Sequence, residues 1–442
     1  MSNDQDTIGR AYAFVTGDDD EDRLCEDIPE SACRHQPRNF FLNIGNGMAT
    51  KLAEQLASPG LVLPWLLSAI GAPSFLAGWL VPIRRAGSLA PQMMVAGAIR
   101  RKAVRKWFWV GAGITQAIAL VLMAIAVAFL PPLGAGFAVV TMLLIFSIAS
   151  GVGSVSFSDV VGKTITKGRR GRMLALRASL GGLLALGAGL ILRQTVENDD
   201  AVGIFILLIV IAAALWALGS ILFAFKVEPP GASDGSRTVF TELKGGWTLL
   251  KRESSIRRFI IARCLLTGVE LSIPFYALHA RSLDPIDSSA LGVFIIAVSL
   301  AEILSSPVWG KFADRSSRGV MIVAGLIAGG AGVFALFFDA LPEVWRNAYV
   351  YGLVFLLVGL AHGGIRLGRK TWIIDASPKD DRPTWVALSN TIVGVAMVAA
   401  AGLGVIADIF TVQVLIVVLI VIALAGSIAA WRMPEADSAR AG

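Results

Sequence analysis

The stretch Gly310-Lys311-Phe312-Ala313-Asp314-Arg315-Ser316-Ser317-Arg318-Gly319 is a short charged interval between two apolar runs, and Gly97-Ala98-Ile99-Arg100-Arg101-Lys102-Ala103-Val104-Arg105-Lys106 repeats its plan. Glycine, central base and final arginine share one offset in the two stretches. A second, weaker correspondence sets Glu54 before Pro59 and Glu270 before Pro274. Repeats at this separation point to an internal duplication, which makes each half a unit to be compared with the other.

Working outward from the two intervals, the flanking apolar runs are too long for soluble core helices, because a bilayer core about 30 Å thick takes roughly 20 helical residues to cross. Breaks at Pro, Gly and charge clusters predict spans over 40–70, 73–97, 107–130, 137–159, 173–193 and 201–225, then 258–280, 288–308, 320–338, 348–367, 384–407 and 411–431. The chain of 442 residues is 55% hydrophobic and 16% charged, with a mean hydropathy of +0.69. A soluble chain would hold about a quarter charged residues. These values exclude a disordered chain, a disulfide-stapled scaffold and an ordinary soluble enzyme. The expected fold is therefore all-α: a polytopic membrane protein of 12 transmembrane helices in two six-helix halves, 39–225 and 258–432. Between them, 226–257 opens with Pro229-Pro230 and a Gly/Ser run and reads as a linker. Its later part sets Phe240, Leu243, Trp247 and Leu250 on one helical face, which suits either an interfacial helix or one packed on the bundle.

The charges give an orientation. Of the 39 Lys and Arg, 32 fall in the two tails and alternate loops on one side, three fall on the other side, and Lys51, Arg84, Arg85 and Arg263 fall inside spans. Positive loops stay cytoplasmic, so both termini are expected there, in a multi-pass plasma membrane of the bacterial inner type. Residues 1–38 hold ten acids against four bases. They read as an acidic, disordered cytoplasmic tail, without the apolar core of a secretory signal, and 433–442 as a short second tail. The net charge of +7 is thus mainly a topology signal. Cys25, Cys33 and Cys264 give no disulfide framework in a reducing compartment. The Cys25, Cys33, His35 spacing matches no standard zinc pattern, so neither metal nor cofactor is expected.

The segment from Gly310 to Arg318 resembles the G-x-x-x-D-R-x-G-R signature carried by the loops after helices 2 and 8 in the major facilitator superfamily, with Ser317 in place of the second Gly. The resemblance extends over 40–432 in span number, halves and loop placement. It implies a cytoplasmic gate. Asp314 would dock on the start of a helix of the other half, the fifth span by resemblance, and Arg315 or Arg318 would pair with Asp375. In the first half Lys102 or Arg105 would pair with Asp159, while Arg101 stands where the family has Asp, so that latch reads as degenerate. Gly97 and Gly310 mark the starts of the two loops. The bland alternative is a simple positive-inside loop.

Charges at membrane depth cost about 3 kcal/mol or more, so they should face the bundle interior and find partners. Asn43, Asn46 or Gly47, Thr50 or Lys51, Glu54 and Ser58 recur at steps of three and four, a polar stripe along the first span. Arg84 and Arg85 lie near mid-depth in the second and point about 100° apart, and Glu54 with one of them is the preferred ion pair. Arg263, Thr267 and Glu270 share a face of the seventh span, before a kink expected at Pro274. Glu302, His362 and Arg366 add ionisable groups, and Ser147, Ser150, Ser154 and Ser158 a row of hydroxyls. Lys51, Glu54, Arg84, Arg85, Arg263, Glu270, Glu302, His362 and Arg366 are the candidate substrate and proton pathway.

These residues support a secondary transporter of a small solute, with an organic anion suited to the slight cationic surplus and a buried Glu suited to proton coupling. Partners would be that solute, the bilayer and protons, with the chain a monomer. The alternatives are a proton-coupled drug exporter, and a non-transporting member of the same fold acting as an assembly factor or receptor. Drug exporters of the superfamily usually carry an Arg in the fourth span and a Gly-Pro pair in the fifth, both missing here. No nucleotide-binding loop, G-x-S-x-G elbow or H-E-x-x-H pair appears, which argues against an enzyme. Nucleic acid is not an expected partner, because topology alone accounts for the loop bases.

Overall fold

In lipid every backbone N–H and C=O needs an internal partner, and the helix supplies one within each segment. A computed structural model describes residues 8–9, 12–13, 28–195, 201–231, 250, 253–283, 286, 290–313, 315–376 and 382–436, and the long elements among them are all helices. In chain order they are α1 Gln36–Leu56, α2 Val62–Ala69, α3 Ser74–Arg100, α4 Lys106–Phe129, α5 Pro132–Thr164, α6 Lys167–Thr195, α7 Ala201–Ala224, α8 Ser254–Leu266, α9 Gly268–Arg281, α10 Ala290–Ala313, α11 Ser317–Leu336, α12 Ala348–Ala376, α13 Arg382–Ala400, α14 Gly404–Ile409 and α15 Val412–Trp431. Local chemistry sets several starts. Pro132 opens α5 at the position where its missing N–H costs nothing. Ser316 and Thr411 cap α11 and α15, accepting from Gly319 N at 2.8 Å and Val414 N at 3.3 Å.

Among the described residues, nine helical stretches are long and apolar enough to cross a membrane. The protein is a multi-pass integral membrane protein. The expected first, second and eighth spans are also helical, as α1 with α2, α3 and α10, but fall outside those nine. The first is polar over its early half and broken between Leu56 and Val62, around Pro59-Gly60. The seventh is interrupted at Thr267, and Pro274 sits inside α9.

Packing repeats with the sequence. In the first half α4 packs on α5 and α7, α3 on α5, and α1 on α6 and α7. In the second, α11 packs on α12 and α15, α10 on α12, and α8 on α13 and α15, the same scheme element for element. The halves meet symmetrically as well, through α6 with α10 and α3 with α13 and α14. The α3 contact is close: a Cβ on Gly78 would lie 2.9 Å from the Ala401 carbonyl oxygen, so only glycine admits this approach. Cys33 is disulfide-bonded, contrary to the sequence expectation, and Cys264 is free.

Candidate functional site

The polar stripe of α1 divides between two neighbours. Asn39, Asn43, Asn46 and Thr50 are buried. Asn39 exchanges hydrogen bonds with the Val227 backbone, donating at 2.9 Å and accepting at 3.0 Å, and Asn46 donates to the Gly219 carbonyl at 2.9 Å. These contacts fix α1 on α7. One step round the helix, Lys51, Glu54 and Ser58 face a cavity of about 400 Å³ between the halves, a size suited to a small ligand.

Eight of the nine predicted pathway residues line that cavity; Arg263 lies deeper in the second half. Arg84 meets Glu54 at 3.1 Å, which resolves the choice between the two adjacent arginines. Arg85 turns the other way and crosses to the second half, its Nε 2.9 Å from Glu270 Oε2. His362 Nε2 lies 2.8 Å from the other oxygen of Glu270, and the Glu270 side chain is only 8% exposed. Lys51 Nζ reaches Glu302 at 2.8 Å, a second ion pair across the halves. Arg366 lines the cavity and is exposed. Arg263 donates to Ser389 Oγ and, at 2.7 Å, to Asn390 Oδ1, which anchors α8 on α13. Ser150 and Ser154 line the cavity, whereas Ser147 donates to its own Leu143 carbonyl and Ser158 to that of Ser154.

Three acids are thus matched by three bases, Arg366 remains as a fourth base on the cavity wall, and two further cations lie inside the first half. Arg177 belongs to the cluster read as a basic loop, yet it sits well inside α6, its Nη2 3.3 Å from Thr50 Oγ1 and its guanidinium 4.5 Å from the Phe157 ring centre. Lys226, counted with the linker, is 1% exposed, donates to Asn43 Oδ1, and lies 3.3 Å from the Phe223 ring centre. Burial and the nearby Arg177 hold its ammonium well below the ordinary lysine pKa.

At the end of the bundle holding the charged loops, Arg105 pairs with Asp159, one of the two pairings that the resemblance implied, and Ser156 donates to the Arg105 carbonyl at 2.7 Å. Lys102 is exposed and offers its carbonyl to Arg105 Nε at 3.0 Å. Gly97 lies within α3 and Gly310 within α10. Arg318 turns to Glu435, 3.0 Å away beyond α15, rather than to Asp375, which is exposed, as is Arg315. The expected pair with Asp375 is replaced because Glu435 also accepts from Ser316 Oγ at 2.9 Å, and so closes the start of α11. Asp314 lies outside the described residues. At the opposite end Asp408 accepts from the backbone N–H groups of Ser74 at 3.0 Å and Phe75 at 2.7 Å, tying the end of α14 to the start of α3 across the halves. Trp65 and Phe294 also meet there, with ring centres 5.6 Å apart.

Residues 271–441 match the family model described as Major Facilitator Superfamily. That match falls in the second half of the chain. Its similarity to the nucleoside transporter NupG covers 89% of this chain and 99% of that one at a TM-score of 0.69 and 13% identity. Similarity to a D-xylose-proton symporter covers 90% and 98% at a TM-score of 0.66 and 13% identity. At that identity these establish a shared fold alone. Uncharacterized protein Rv2209 of Mycobacterium tuberculosis is 24% identical over 406 residues, 90% of this chain and 78% of that protein. Multidrug resistance protein MdtG of Escherichia coli is 30% identical over 111 residues, 23% of this chain and 27% of that one.

Proposed function

We propose that the protein is a secondary active transporter that moves a small organic anion by alternating access, with a proton as coupling ion. The observation that carries the proposal is the pair of ionic contacts across the halves, Lys51 with Glu302 and Arg85 with Glu270, in the wall of the central cavity. The first half supplies both bases and the second both acids. An anion entering the cavity competes for Lys51 and Arg85 and releases Glu302 and Glu270. A carboxylate left at this depth without a cation is costly, and taking up a proton relieves that cost. Glu270 holds both Arg85 and His362, so it is the proton carrier and His362 the group that steadies it. Protonation removes the attraction to Arg85, and the halves part.

The positive-inside bias supports a cytoplasmic charged end with both termini on that side, in a bacterial inner membrane. The ties at Asp408 and Trp65 support a form closed on the outside and open to the cytoplasm. In that orientation Gly97, Lys102, Arg105, Asp159, Gly310, Arg315, Arg318 and Asp375 form the cytoplasmic gate, engaged when the halves rock together. The chain acts as a monomer. Purified protein in liposomes, given an inward pH gradient and a labelled panel of phenylacetate, citrate and lactate, should accumulate at least one of them, and Glu270→Gln should abolish the accumulation. Equal accumulation by the variant would refute Glu270 as proton carrier. The stretch shared with the multidrug resistance protein favours drug export as the second reading; a lipophilic cation in the same assay distinguishes it.

A further inference from the structure

A second cavity, of about 390 Å³, lies inside the first half and shares Lys51, Glu54, Ser150 and Ser154 with the central one, so the two are joined through common walls. Its far side is formed by Arg177, Gln116, Trp109, Trp216 and Phe157. Three of these residues carry a buried N–H group without an acceptor among the described residues: Arg177 Nη1, Gln116 Nε2 and Trp216 Nε1. Among the described lining residues the one carboxylate is Glu54, already engaged by Arg84 at 3.1 Å. Buried donors without acceptors are costly, and a cluster of them beside a guanidinium defines the missing partner as an oxygen-rich anion. The placement of Arg177 is specific. A Cβ on Gly47 would fall 1.8 Å from Arg177 Cγ, so the bare backbone of α1 opens the channel through which the side chain runs.

We propose that this cavity is a subsite for the carboxylate end of the transported anion. Arg177 and Gln116 donate to the carboxylate oxygens, Trp216 Nε1 adds a third N–H, and the rings of Trp109 and Phe157 flank a planar apolar body. The remainder of the molecule lies toward Lys51 in the central cavity. The inference rests on the anion reading above and adds the location and chemistry of the acidic group. Trp109 and Trp216 line the cavity, so a ligand there changes the tryptophan emission of the protein.

The test uses the full chain in nanodiscs, with phenylacetate as probe and phenylacetamide, its neutral isostere, as comparison, read by calorimetry and tryptophan fluorescence. Phenylacetate should bind and quench, and the amide should do neither. Arg177→Met should weaken phenylacetate about tenfold to a hundredfold, as expected for loss of a charge-assisted hydrogen bond, with Arg177→Lys intermediate. Gln116→Leu removes a donor at similar volume and Trp216→Phe removes one with a smaller ring, and each should weaken binding several-fold; both keep the test decisive if Arg177→Met does not fold. Binding that falls in Arg366→Met but is unchanged in the Arg177, Gln116 and Trp216 variants would overturn the subsite and leave the anion reading standing. No binding of phenylacetate, citrate or inorganic phosphate to the wild type would overturn both. Equal binding of acid and amide would show an apolar pocket and overturn the subsite.

Discussion

At the charged end, the two halves build the same latch from equivalent positions with very different strength. Each takes a glutamate four residues beyond its last helix, Glu228 after α7 and Glu435 after α15, and returns it to the start of its third helix. In the first half Glu228 accepts from the backbone N–H groups of Arg105 at 2.9 Å and Lys106 at 2.7 Å and pairs with Lys163 at 2.9 Å, its side chain fully buried. In the second half Glu435 takes Ser316 and Arg318 and is 37% exposed. The loop that departs from the family pattern is therefore the more firmly held. A pattern of loop residues reports only one side of a contact, and here the other side comes from more than a hundred residues away.

The largest expected effect breaks this contrast directly. Glu228→Ala leaves Lys163 and the start of α4 without their buried partner, a loss of about 3–5 kcal/mol. Glu435→Ala removes a half-exposed pair worth about 1 kcal/mol or less. Thermal melting of the two variants in one detergent should show a large drop for the first and a small one for the second. Equal drops would show that burial does not set the difference.

The halves also differ across their shared face, where the first contributes bases and the second acids. Arg85→Met deprives the buried Glu270 of its cation and should shift the balance of closed and open forms by about 2–3 kcal/mol. Lys51→Met frees Glu302, which is 33% exposed, and should shift it by about 1 kcal/mol. Spin-label distances across the charged end, with and without a pH gradient, measure both. A larger shift in the lysine variant would place the controlling pair at Glu302.

Asp408 gives the next smaller effect. It acts on the first two N–H groups of α3, where a carboxylate meets the positive end of a helix. Asp408→Asn should weaken that tie by about 1 kcal/mol and raise the labelling of an Ala72→Cys reporter. Unchanged labelling would mean that the Gly78 and Trp65 contacts close this end without Asp408.

How much of this was legible in the sequence follows from how far each contact reaches. The spans were legible because about 20 apolar residues in a row admit few alternatives, and Arg84 with Glu54 and Arg105 with Asp159 because each joins neighbouring spans of one half. Arg85 with Glu270 and Lys51 with Glu302 depend on how the halves face each other, which no local spacing encodes. Arg177 and Lys226 were hidden by their neighbours, since a base near a basic cluster reads as loop even when its helix carries it inward. Glu228 and Glu435 fell in segments read as linker and tail. Their common offset of four from the last helix was the available signal.

That offset supplies the finest test of the comparison. Two residues before each glutamate stand Lys226 and Met433, both buried, so Lys226→Met gives the first half the residue of the second. Loss of the Lys226 hydrogen bond to Asn43 offsets relief of the buried ammonium, and the net change at neutral pH should be roughly 1 kcal/mol or less. The pH dependence is more informative. Burial and Arg177 lower the folded pKa of Lys226, against the opposing pull of Glu228. Between that lowered value and about 10.4 the unfolded chain holds the proton that the folded chain has lost, so stability rises with pH through the window and levels off above it. Melting curves from pH 7 to 10 should show this rise in the wild type and lose it in Lys226→Met. A rise of equal slope in the variant would assign it to another group and leave Lys226 charged in its pocket, held by Asn43 and the Phe223 ring.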